Sequence, residues 1–214
     1  MKRFDIITEA DARVLDFGAT VELAAGGIIT PLAQDTLAAR RVTVVAAGSL
    51  DSSLAERLAP PADVRRIVIG SDHTGIALKS VLVQHLRGAG LAVTVVGANT
   101  PDPVDYPDVA AAVAVPVARG EADAGIVIDG AGIGSAIAAN KVRGVRAAMC
   151  TDETLARYSR EHNGANVLAL GATLLEPEAA RRIVDVWLST PMKEARYIRR
   201  LVKIKRLEDR ASRE

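Results

Sequence analysis

The sequence predicts an α/β protein: a doubly wound, five-stranded parallel sheet of the Rossmann-like αβα sandwich type, with a small N-terminal extension. Three observations predict it. From Arg66 onward, short apolar runs alternate regularly with helical stretches, a pattern that right-handed crossovers turn into one parallel sheet with helices on both faces. The runs are apolar throughout rather than alternating, as in strands buried on both faces. The middle run, Ile126–Ile128, ends at Asp129 and is followed by Gly130, Gly132 and Gly134, a strand–glycine-loop–helix unit of the kind that carries ligands at the carboxyl ends of strands.

Residues 1–46 read as a separate small α/β module. Thr20–Leu23 is a candidate strand and Gly26-Gly27 a turn. Thr30-Pro31 is a helix start, with threonine as cap and proline at the first helical position. That helix runs to about Arg40, and Val42–Ala46 forms another strand. So short a module holds little core of its own and is expected to dock. Residues 47–65 form a linker, where Gly48, Ser49, Ser52, Ser53 and Pro60-Pro61 interrupt regular structure around one helical turn at Leu54–Leu58.

Residues 66–214 hold the sheet domain and a C-terminal helix. Strand Ile67–Gly70 ends in Ser71-Asp72-His73, and Ile76–Arg87 is an amphipathic helix closed by Gly88. Leu91–Val96 is the second strand, followed by a loop with Pro101, Pro103 and Asp105-Tyr106-Pro107. Val109–Arg119 is a helix that Pro116 must bend or shorten. After the central strand and its loop, Ser135–Asn140 is helix-competent. Strand Val145–Met149, helix Thr154–Arg160, strand Val167–Leu170 and helix Pro177–Leu188 complete the alternation. A last helix, about Lys193–Leu207, puts Ile198, Leu201 and Val202 on one side.

Composition excludes several function classes. Hydrophobic residues make up 49% and charged ones 25%, as in a globular chain. Basic and acidic side chains number 27 and 26, which leaves no global field for nucleic acid or an anionic membrane. Aromatics at 3% leave few platforms for stacking bases. The one cysteine, Cys150, excludes an intrachain disulfide and fits a reducing cytosol. Following the run Val145–Met149, it reads as a buried, inert thiol. No apolar run reaches membrane-spanning length, and the charged start Met1–Asp11 does not read as a signal peptide. The expected location is cytoplasmic.

Three strand-end segments offer polar groups: Asp72 with His73, Asp129, and Glu161-His162-Asn163 before the fifth strand. Strand-end loops of one doubly wound sheet converge, so these groups are expected to meet in one cleft. The glycine loop leaves backbone N–H groups unpaired, and a carboxylate against such an anion cradle suggests proton transfer to or from something that becomes an oxyanion. Each feature also has a plainer use: a glycine-rich turn as a tight connection, an Asp-His pair as a helix cap, His162-Asn163 as turn residues. The spacing Gly-x-Gly-x-Gly after a middle strand is not the dinucleotide fingerprint. Arg196 and Arg200, four apart, share a helical face that could hold a phosphate or form part of a solvated basic face with Arg199, Lys203 and Lys205.

Taken together, Gly70-Ser-Asp-His-Thr-Gly75, Asp105-Tyr-Pro107, Gly130-Ala-Gly-Ile-Gly134, Ile137-Ala-Ala-Asn-Lys141, Arg160-Glu-His-Asn163 and the Arg196/Arg200 pair resemble the ribose-5-phosphate isomerase type B and galactose-6-phosphate isomerase family. The resemblance covers roughly the last two-thirds of the chain. It implies aldose–ketose interconversion of a sugar phosphate through an enediolate, without metal or other cofactor. It also implies a homodimer or homotetramer with sites shared across the interface. By position, Asp72 and His73 would bind sugar hydroxyls and help open the ring, Tyr106 would line the pocket, and His162 and Asn163 would assist ring opening and hold oxygens. Arg196 and Arg200 would grip the phosphate, and the amides of the loop Gly130, Ala131, Gly132 and Gly134 would stabilise the enediolate.

The chain departs from the family pattern in places. Asp129 stands where one branch has a cysteine base; another branch uses a glutamate at the position of Ser135. The loop hydroxyl residue is Ala131, and a phosphate-holding arginine is Thr173. The expected activity is isomerisation of ribose 5-phosphate with Asp129 as base. The alternatives are another pentose, a tetrose or a hexose phosphate, or a catalytically silent sugar-phosphate binding subunit. Residues 7–13 and Ile29–Val45 are similar to the opening of cobalamin adenosyltransferases of ethanolamine utilisation, which implies association with a bacterial microcompartment through residues 1–46.

Overall fold

The computed structural model describes residues 2–46, 58–61, 63–192 and 194–211. The chain divides into two compact units, Met1–Ala59 with Glu194–Leu207, and Pro60–Lys193 with Glu208–Glu214. The helical turn expected at Leu54–Leu58 lies, but for Leu58, outside the described residues.

In the first unit, strands β1 (Arg3–Ile7), β2 (Thr20–Ile29) and β3 (Thr43–Ala46) form a parallel sheet in the order β1-β2-β3. Helices α1 (Glu9–Val14) and α2 (Pro31–Ala39) connect them. Ile7, Ala12, Leu15, Val21, Ala33 and Leu37 form its core. The sequence reading missed β1 and α1, although Thr8 and Asp11 cap that helix reciprocally, a signal written in the Thr-x-x-Asp spacing. It also placed a turn at Gly26-Gly27. Instead β2 runs through this pair, and the pairing register with β1 slips between Phe4 and Ile6, so the glycines sit in a bulge.

The second unit is a five-stranded, all-parallel sheet of β4 (Arg66–Ser71), β5 (Ala92–Gly97), β6 (Ala124–Asp129), β7 (Ala147–Met149) and β8 (Val167–Gly171), in the order β5-β4-β6-β8-β7. Helices α3 (Ile76–Gly88), α4 (Tyr106–Ala118), α5 (Ile133–Ala139), α6 (Glu153–Glu161) and α7 (Pro177–Ser189) link the strands or follow the last of them. Side chains alternate across the pleat. Ile67, Ile69, Ile126, Ile128, Leu168 and Leu170 pack on one face with α3, α6 and α7. Val68, Val127, Val167 and Ala169 pack on the other with α4 and α5. Both faces are covered, which is why the strands read as unbroken apolar runs.

Two local expectations change. Helix α4 continues through Pro116, which stands in its last turn and so removes only one hydrogen bond near its end. Helix α5 begins at Ile133, inside the glycine loop, rather than at Ser135. The final helix, α8 (Ala195–Ala211), has its residues up to Leu207 in the first compact unit.

Candidate active site

Strand β6 delivers Asp129 to the carboxyl edge of the sheet, where it pairs with Gly171. The residue is 5% exposed. Its Oδ1 accepts the N–H of Ala131 at 2.9 Å and that of Gly132, and its Oδ2 accepts the N–H of Ser135 at 2.8 Å. Gly132 adopts φ 79°, a left-handed conformation that lets the chain fold back so that these amides aim at the carboxylate. Two bonds on Oδ1 and one on Oδ2 leave the open lone pair on Oδ2. This corrects the expected use of the loop. The amides of Ala131 and Gly132 face the chain's own carboxylate rather than an open cradle, because Asp129 is the nearest anion to them. The carbonyl of Gly130 is held from the other side by the Thr173 amide at 3.0 Å and hydroxyl at 2.6 Å.

Asp72 reaches the same edge at the end of the neighbouring strand, and its amide donates to Ile128 O at 3.1 Å. It caps the short 3-10 turn His73–Gly75. The Nδ1 of His73 accepts the Val104 N–H at 3.2 Å, so the neutral ring assigned from this geometry carries its proton on Nε2. Tyr106 opens α4 and lays its ring over Gly134: a Cβ on that glycine would stand 2.7 Å from the ring. The sequence reading passed over Lys79, which is 4% exposed on α3. Its ammonium donates to Val96 O at 3.2 Å and to Ala98 O, and so holds the start of the loop that ends at Val104 and Tyr106. Burial lowers its pKa. A lysine in an amphipathic helix carries no signal that it will be the buried one.

His162 and Asn163 do not join this group. They follow α6, and three residues later Asn166 O accepts the Gly125 N–H at the start of β6. Gly125 and Asp129 lie four residues apart on one strand, roughly 13 Å. The expected convergence thus fails within one chain, because a crossover helix runs back along the sheet and its end lies at the amino edge. There the His162 ring stacks on Tyr158 at 4.7 Å, and Asn163 Nδ2 donates to Tyr158 O at 3.1 Å. Below them Arg160, 1% exposed, lies over the Trp187 ring and donates to Ala165 O at 2.8 Å. Burial, and then the charge of Arg146, lower its pKa to about 10.

Arg196 and Arg200 flank Tyr197 on α8, with guanidinium carbons 4.7 and 5.6 Å from its ring centre, so the shared face read from their spacing is present. Arg196 also lies 2.6 Å from Glu194. Cys150 is 1% exposed, and burial pushes its thiol up to about 11, which fits an inert side chain. Among the described residues no group of three or more His, Cys, Asp or Glu is placed to hold a metal, and no helix is long and apolar enough to cross a membrane. A cavity of about 190 Å³ in the first unit, reached by Lys2, Asp16 and Thr20, involves none of the expected site residues.

A family model described as Ribose/Galactose Isomerase matches residues 67–204. The ribose-5-phosphate isomerase B of Escherichia coli (strain K12) is 42% identical over 147 residues, covering 69% of this chain and 99% of that protein. The D-erythrulose-4-phosphate isomerase of Pectobacterium atrosepticum is 42% identical over 123 residues, covering 57% of this chain and 81% of that protein. Among solved structures, the ribose-5-phosphate isomerase B of Clostridium thermocellum is similar with a TM-score of 0.67 at 46% identity, covering 68% of this chain and 98% of that one.

Proposed function

The chain belongs to the ribose/galactose isomerase family and is an aldose–ketose isomerase of sugar phosphates, and from that premise we propose that it interconverts ribose 5-phosphate and ribulose 5-phosphate with Asp129 as the base. The observation that carries this is the Asp129 carboxylate itself. It is buried, immobilised by three main-chain N–H bonds, and left with an open lone pair on Oδ2 at the end of the central strand. In the open-chain aldose, Oδ2 takes the proton from C2; the C–H electrons form the C1–C2 double bond and the C1 carbonyl oxygen becomes the enediolate oxygen. The same carboxyl returns the proton to C1 as the C2 oxygen becomes the carbonyl, and a hydroxyl proton passes between the two oxygens. Since the Ala131 and Gly132 amides serve the base, the charge on the enediolate is met by other donors, the His73 Nε2–H first among them. Asp72 binds hydroxyls, Tyr106 closes the pocket wall over Gly134, and Arg196 and Arg200 hold the phosphate; the family match extends past both arginines.

His162 and Asn163 act in this reading on the site of a second copy, so the working enzyme is a homodimer or homotetramer. Their position at the amino edge of the sheet supports it. The N-terminal module, residues 1–46, serves location, with a bacterial microcompartment as its partner. A four-carbon substrate is the second reading, favoured by the similarity to the D-erythrulose-4-phosphate isomerase. Turnover across tetrose, pentose and hexose phosphates decides between them, and binding without turnover of any would assign a silent subunit. Asp129→Asn, whose NH2 group must face the Ser135 N–H, should still bind ribose 5-phosphate within about tenfold of the parent and lose about 10²–10⁴-fold in kcat; a loss of only a few-fold moves the base to another group.

A further inference from the structure

Thr74 has no part in the reaction as described, yet two of its groups converge on a site carboxylate. Its amide donates to Asp72 Oδ1 at 2.9 Å, and its hydroxyl donates to the same oxygen at 2.6 Å. One residue thereby fills both lone pairs of Oδ1, and Oδ2 is the oxygen left to meet a ligand. Asp72 is 6% exposed, so the rotation of its carboxylate decides which lone pair faces the site. Thr74 Oγ1 also stands 3.8 Å from where a Cβ on Gly130 would be. The hydroxyl therefore sits between Asp72 and the loop that follows Asp129.

Resting on the isomerase reading of this site, we propose that Thr74 is a positioning residue that fixes the Asp72 carboxylate so that Oδ2 alone receives a hydroxyl of the sugar phosphate. The last torsion of an aspartate is broad, and a single main-chain N–H leaves it free to swing. A second, charge-assisted bond from the hydroxyl to the same oxygen stops that motion. The ligand is a hydroxylated chain carrying phosphate, and Thr74 selects the direction from which one of its hydroxyls is met.

Thr74→Val keeps the shape and removes the hydroxyl, whereas Thr74→Ser keeps the hydroxyl. Both are made in the parent and in Asp72→Ala, and binding of ribose 5-phosphate and erythrulose 4-phosphate is read by calorimetry, which needs no turnover. Thr74→Val should weaken binding of the preferred sugar phosphate about tenfold, with Thr74→Ser within about twofold of the parent. In the Asp72→Ala background Thr74→Val should change binding by less than about twofold, because the side chain it acts through is gone. A Thr74→Val that binds like the parent overturns the proposal, and so does a loss that persists undiminished in the Asp72→Ala background, the mark of a merely structural role. Failure of the parent to bind either sugar phosphate overturns the pentose and tetrose phosphate readings of the site and this inference with them; normal parental binding without the coupling overturns the inference alone.

Discussion

Gly134 carries no side chain where Tyr106 has laid its ring, and this contact ties the loop to the pocket wall. A Cβ at 2.7 Å from the ring must push it aside, because the glycine is backbone in a helix start and the ring is the movable partner. Gly134→Ala should therefore raise KM by roughly 3–10-fold with a smaller change in kcat, read by steady-state kinetics on the preferred sugar phosphate. A second residue-scale test concerns Asp123, whose carboxylate accepts the Arg65 and Arg66 amides and pairs with the Arg66 guanidinium at 2.6 Å. The hydrogen bond from Arg66 is the first cause that lowers its pKa below the ordinary 3.8. A carboxyl lowered on folding contributes its stability in full above the ordinary value, and loses it as the pH falls through the lower, folded one. Asp123→Asn should lower the melting midpoint by about 2–4 °C at pH 7, for about 1 kcal/mol, and the gap to the parent should narrow progressively as the pH falls below the ordinary 3.8. A gap that persists in acid would mean that the amide bonds, not the charge, hold the strand start.

At the scale of elements, α7 and α3 cover one sheet face through long apolar side chains, and α4 and α5 cover the other through valine and alanine. Trp187 is the largest side chain of the first group and is fully buried, with Arg160 lying over its ring. Trp187→Ala should cost about 3–5 kcal/mol, enough to lower the melting midpoint by roughly 10 °C or more. Thermal unfolding checks it, and a shift of only a few degrees would show that the layer repacks. These elements were legible in the sequence where a signal repeats along the chain: apolar runs for β4, β6 and β8, helical periodicity for α3 and α7. They were less legible where local chemistry is ambiguous. Gly26-Gly27 reads as a turn in isolation and is a bulge in a strand, since the pairing partner across the sheet decides which. Pro116 reads as a breaker and is tolerated because it stands in the last turn of α4.

At the scale of the whole molecule, one chain brings Asp72, His73, Tyr106 and Asp129 to the carboxyl edge and leaves His162 and Asn163 at the amino edge. If a second copy supplies the missing pair, Asp129→Asn and His162→Ala should each be impaired alone and complement each other when mixed and reassembled. A mixed dimer carries one site with both lesions and one with neither, so activity well above either variant is expected, up to about half of the parent per mixed dimer by that count of sites. No recovery in assembled mixtures would mean that His162 acts elsewhere.

By itself the sequence determined the fold class and the sugar-phosphate isomerase family. Strand-end carboxylates, glycine loops and apolar periodicity are local patterns, and local patterns survive reading one residue at a time. Only the tertiary structure decided what those groups face. It turned the loop amides of Ala131, Gly132 and Ser135 onto Asp129 instead of outward, closed both lone pairs of one Asp72 oxygen with Thr74, buried Lys79 under the pocket loop, and carried His162 to the far end of the sheet. The reason is physical: a hydrogen bond is claimed by whichever donor and acceptor the packed chain brings within reach, and the run of a crossover helix back along the sheet fixes that reach.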